Sequence, residues 1–144
     1  MTRSERLQRI VTLADSAKRN ASQRLAGSRR TRDDERERLI QFEQYREDYL
    51  STLAAGGKTM SAAHARELRQ FIAQVEQAIK ALRAQLASAE QQYCDDVAGW
   101  NSESQRTRAL SDVLKRARRK EAQVEENEVQ REIDDRAGMR AGRT

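Results

Sequence analysis

The sequence predicts an all-α protein, a two-helix antiparallel coiled-coil hairpin whose C-terminal helix overhangs its partner. Three observations predict it. Charged residues make up 35 % of the 144 residues and aromatic residues only 4 %, so the chain cannot fill a globular core. Proline is absent, where one inside a helix costs about 3 kcal/mol. Apolar residues recur in alternating steps of three and four on both sides of a glycine pair, the spacing of a heptad seam.

The first helix is expected over about residues 3–53, with Leu7, Val11, Ala14, Ala21, Leu25, Leu39, Phe42, Tyr49 and Leu53 on its seam. Ser28, Arg32 and Glu35 occupy the same positions between the halves, so this seam is polar in its middle. The second helix, about residues 61–136, holds the pattern through Leu68, Ile72, Val75, Ile79, Leu82, Leu86, Ala89 and Tyr93. An extra step at Val97 before Trp100 reads as a stutter that relaxes the supercoil. Weaker periodicity continues through Leu110, Leu114, Ala117 and Val124. Gly138 is read as the break of the terminal helix, leaving a frayed basic tail over 137–144 of a single domain.

Residues 54–60 join the helices, with Gly56 and Gly57 supplying positive φ angles and Thr59 or Ser61 capping the second helix. The Gly-Gly-Lys-Thr run at 56–59 invites comparison with a phosphate-binding loop. That motif needs a glycine at 52, where Thr52 stands, and a preceding strand, where the pattern is helical. A turn is the reading adopted. Folding about the two glycines sets Phe42 opposite Ile72, Leu39 opposite Val75 and Leu25 opposite Ala89, and leaves everything after about residue 112 without a partner.

Net charge is +5 and the sequence pI is near 9.8, which suggests an acidic partner surface. Residues 1–30 carry eight basic side chains against two acidic ones, and residues 104–120 carry seven against Asp112. An antiparallel hairpin brings these two segments to one end. Residues 121–135 reverse the sign, with seven acidic residues against Arg131. Near Phe71 the apolar arc is wider than a two-stranded seam requires. Opposite Ile79, Leu82 and Leu86 the predicted register offers only Glu35, Arg32 and Ser28, so apolar surface is expected to be left uncovered there for a partner.

No catalytic, cofactor-binding or metal-binding constellation is expected. Asp33 with Asp34, Asp95 with Asp96, and Asp134 with Asp135 are sequence neighbours that diverge by about 100° around a helix. His64 has no second ligand at useful spacing. Cys94 is alone, which excludes an intramolecular disulfide and leaves a small structural side chain beside the seam. Neither a signal peptide nor a membrane span is evident, so a cytoplasmic protein is expected.

From about Leu39 to Arg140 the chain resembles the flagellar export protein FliJ family. The residues that carry the resemblance are "LIQFEQYREDYLSTL" before the turn, "LRQFIAQVEQAI" after it, the single Trp100 followed by Arg106 and Arg108, and the end "EIDDRAGMR". The resemblance implies a non-enzymatic component of the flagellar type III protein export apparatus. Its partners would be the hexameric export ATPase, whose ring it enters and activates, the export gate membrane protein, and export chaperones that it escorts. No nucleic acid or small-molecule substrate is implied, and membrane association would be peripheral, through partners at the flagellar base. Carried onto this sequence, the gate-contacting stripe would be Phe71, Val75, Ala78 and Leu82. Charge assigns the ATPase-facing end to Arg3, Arg6 and Arg9 with Lys115, Arg116, Arg118 and Arg119. Three other readings stay open: a stalk protein of a virulence secretion system, a basic coiled coil that binds nucleic acid, and a structural dimer paired between chains.

Overall fold

The structure, a computed structural model, describes residues 1–142 and consists of two long helices with no strand among them. Helix α1 spans Arg3–Gly56, a 3-10 turn spans Gly57–Thr59, and helix α2 spans Ala62–Ala141. Both ends of the connection are fixed by short-range hydrogen bonds. The Thr59 hydroxyl donates to the Gly56 carbonyl at 2.7 Å, satisfying one of the carbonyls that α1 leaves open. The Ser61 hydroxyl accepts from the His64 N–H at 3.1 Å, so Ser61 rather than Thr59 caps α2.

Only one of the two glycines takes a positive φ. Gly57 sits at +42°, whereas Gly56 stays helical at −64° with the Met60 side chain folded onto it. Helix α1 therefore runs three residues further than the sequence suggested, and the chain reverses later. That delay resets the register. The buried Thr107 hydroxyl reaches the Ala14 carbonyl at 3.3 Å, a seam pair whose residue numbers total 121 where a fold about the glycines gives 114, a slip of one heptad; Arg36 with Glu90 and Arg83 with Glu43 pair beside the seam in the same register.

The chain divides into two compact units, Met1–Asn20 with Asn101–Thr144, and Ala21–Trp100. In the second unit, Ile72, Val75, Ile79 and Leu82 are buried against the α1 segment, and Ile79 is the most enclosed large side chain at 2 % exposure. The shifted register brings the neighbourhoods of Phe42 and Leu39 opposite Ile79 and Leu82. The uncovered apolar arc expected there does not form, because its supposed polar partners lie further along. Glu35 and Arg32 fall instead at the level of Leu86 to Tyr93, and the Arg32 guanidinium stacks on the Tyr93 ring at 4.2 Å. A cation over an aromatic face contributes about 0.5–2 kcal/mol, which explains how a seam position accepts an arginine. Asp33 holds the same guanidinium at 3.0 Å and raises its pKa further.

In the first unit, Val11, Ala14, Leu114 and Ala117 form the seam, with Thr107 buried among them. Its hydroxyl is satisfied by the Glu103 carbonyl at 2.8 Å. Pairing reaches Glu121 rather than ending near residue 112, again because the reversal comes late. From Ala122 onward every described residue is exposed. Gly138 does not break α2, which passes through it to Ala141; one helical glycine costs only about 1 kcal/mol. Gly142 then closes the last turn with an N–H bond to the Gly138 carbonyl. The final two positions of the expected basic tail, 143 and 144, lie outside the described residues.

Candidate functional site

The first turn of α1 is built by a capping box. Thr2 Oγ1 accepts from the Glu5 N–H at 3.2 Å, and the Glu5 carboxylate accepts from the Thr2 N–H at 3.1 Å. Across the seam, Glu121 receives both the Ser4 N–H at 3.0 Å and the Ser4 hydroxyl at 2.6 Å. One turn on, Arg118 donates to Gln8 Oε1 at 2.6 Å. These bonds lock the start of α1 beside residues 118–121 of α2. All seven cations expected at this end, Arg3, Arg6, Arg9, Lys115, Arg116, Arg118 and Arg119, are thereby gathered in one unit, and all are exposed.

Their electrostatic setting is unfavourable to the isolated fold. Arg3 and Arg6 stand at the positive end of a helix dipole, where an anion is preferred by about 0.3–1 kcal/mol. Every ion pair found among the described residues lies in the Ala21–Trp100 unit, so none neutralises these seven side chains. Carboxylates lie nearby, Glu5 and Glu121 at the start of α1 among them, but none of them is ion-paired to these cations among the described residues. A surface that concentrates uncompensated positive charge against its own helix dipole is poised for an anionic partner.

Between the charges lie two open, adjoining grooves that share Arg3, Ala117 and Lys120. The larger, about 530 Å³, is lined besides by Glu121, Val124, Glu125 and Glu128. The smaller, about 420 Å³, adds Val113 and Arg116. Neither encloses a reacting atom, and no group of three or more His, Cys, Asp or Glu residues among the described residues is placed to hold a metal ion.

The Ser4 bonds pull the Glu121 pKa below its ordinary 4.5, with the Ser4 hydroxyl first, the Ser4 N–H second and the Arg118 charge a smaller contribution. A depressed carboxyl pKa stabilises the folded chain above the unfolded value and loses that contribution as pH falls through the folded value. Docking of the α1 start on α2 is therefore expected to loosen below about pH 4.5. An NMR titration of Glu121 should give a midpoint below 4.5 that Ser4→Ala returns toward it.

The second candidate surface lies in the Ala21–Trp100 unit. Of the four stripe residues, only Phe71 is exposed, at 43 %; Val75 and Leu82 are buried in the seam and Ala78 is half-buried. Phe71 meets Tyr49 edge-on, ring centroids 4.7 Å apart, beside a shallow groove completed by His64, Glu67 and Leu68. Phe42 and Tyr45 form a second edge-on pair at 5.7 Å. Tyr45 was missed in the sequence because it lies off the heptad seam. The Tyr49 contact was missed because it depends on the register. Cys94 is exposed rather than packed as a small structural side chain.

Residues 3–144 match the family described as Flagellar FliJ protein. The chain belongs to the FliJ family. No curated protein and no solved structure is similar enough to this chain to match. Membership makes this FliJ-family chain a protein related to flagellar export, in a family of non-enzymatic export components. No helix among its described residues is long and apolar enough to cross a membrane.

Proposed function

We propose that this FliJ-family chain is a non-enzymatic coupling component of flagellar type III export, whose basic end enters and activates the hexameric export ATPase. One observation carries the reading: cations from both halves of the sequence, Arg3, Arg6 and Arg9 with Lys115, Arg116, Arg118 and Arg119, meet in one unit without ion-pair partners among the described residues. Uncompensated charge of one sign raises encounter rates with an oppositely charged surface and sets orientation on it. An anionic rim on the ATPase ring would be such a surface.

The second contact of this reading is the export gate, met through Phe71 and the exposed edge of Ala78. Val75 and Leu82 lie beneath and hold that ridge in place. Escort of empty export chaperones, and a cytoplasmic location peripheral to the inner membrane at the flagellar base, belong to the same reading. ATP hydrolysis by the partner hexamer, measured with and without this chain, tests it. Stimulation that fades with added salt is expected, and an unchanged rate at saturating chain would refute the coupling role.

A further inference from the structure

Beside its seam with α1, helix α2 carries a second series of residues in alternating steps of three and four: Arg108, Ser111, Lys115, Arg118, Ala122, Glu125, Val129 and Glu132. The series reverses its charge about its midpoint. It begins with cations, passes through the small Ala122, and ends with carboxylates. All of these residues except the half-buried Ser111 are exposed.

The wider segments follow the same rule, since residues 104–120 hold seven cations against one anion and residues 121–135 seven anions against one cation. None of these carboxylates forms an ion pair among the described residues. Val129 and Ile133, 52 % and 54 % exposed, add apolar surface left open among the described residues. A stiff helix cannot fold back to bring its own halves together. A second copy running the opposite way can.

We propose that two copies of this chain associate through antiparallel pairing of α2 residues 108–132, about a two-fold axis near residue 120. In that register Arg108 meets Glu132, Lys115 meets Glu125, Ser111 meets Val129 and Arg118 meets Ala122, and each contact occurs twice. Val129 packs over the small Ser111 near the middle of each half, and the charge pairs fix direction, because a parallel arrangement would set cation on cation. The contact is narrow and mostly polar, so it forms a weak, salt-sensitive dimer rather than an obligate one. It also covers Lys115 and Arg118, so a paired chain withholds two of the cations offered to an anionic partner.

Sedimentation equilibrium of the isolated full chain tests this without any partner protein. At an ionic strength of about 0.01 M, where charges are felt over about 30 Å, a species of twice the 16.5 kDa chain mass is expected; at about 1 M it should dissociate. Reversing one sign, Arg108→Glu with Lys115→Glu, should weaken association at least about tenfold, as should Glu125→Lys with Glu132→Arg. All four changes together should restore it, since reversed cations then meet reversed anions. Circular dichroism verifies that each variant stays helical. A wild-type monomer at low ionic strength, association indifferent to the one-signed reversals, or a helical fourfold variant that stays monomeric would each overturn the proposal.

Discussion

Ile79→Ala is expected to lower the unfolding free energy of the Ala21–Trp100 unit by about 2–5 kcal/mol, the largest loss from any single truncation in the chain. Ile79 is 2 % exposed in a seam only two helices wide. A narrow seam has no second layer to collapse into the space left by the lost side chain. The cost then includes both the lost transfer free energy and the cavity. Ile40→Ala, in the same unit but 64 % exposed, should change stability by less than about 0.5 kcal/mol. Urea unfolding followed by circular dichroism measures both. Equal effects would mean that the two helices are not packed on the face described here.

Joint reversal of Arg6, Arg116 and Arg119 to glutamate is expected to slow association with the export ATPase by at least about tenfold at low salt. These three come from both helices, form no ion pair among the described residues, and lie outside the self-pairing series. Because they are exposed, the chain should keep its melting behaviour while losing the interaction. A variant that stimulates the hexamer as well as the parent would remove the basic end from the docking surface, whatever else the chain does.

Much of the architecture was written in the heptads. Val11, Ala14, Ala21, Ile72, Val75, Ile79, Leu82, Leu114 and Ala117 are buried as their spacing requires, because a two-helix seam leaves little freedom about which side faces inward. Register was harder to read. It depends on whether Gly56 or Gly57 leaves the helical region, and either glycine is free to do so. Gly56 stays helical under Met60, and that choice shifts every cross-helix pairing.

The consequences fell unequally on the two candidate surfaces. Seven clustered cations survive a shift of one heptad, since charge is spread along both segments. The Phe71 ridge did not keep its expected form. With Leu39 and Phe42 rather than Glu35 and Arg32 at the level of Ile79 and Leu82, those two side chains are buried, and the exposed remainder is an aromatic edge built with Tyr49. Glu121 shows a different limit. In the sequence it opens an acidic run, and only the fold reveals it as the cap that anchors the first turn of α1.

Spin labels at positions 8 and 118, measured in chains diluted with unlabelled protein, test the central claim most directly. Gln8 and Arg118 are in contact within one molecule, on helices about 8–10 Å apart, so a short, narrow distance distribution that survives dilution is expected. A hairpin folded about Gly56 and Gly57 would slip the helices by one heptad, lengthening the separation by about 10 Å along the axis. That longer distance, or a short one that vanishes on dilution, would contradict the account.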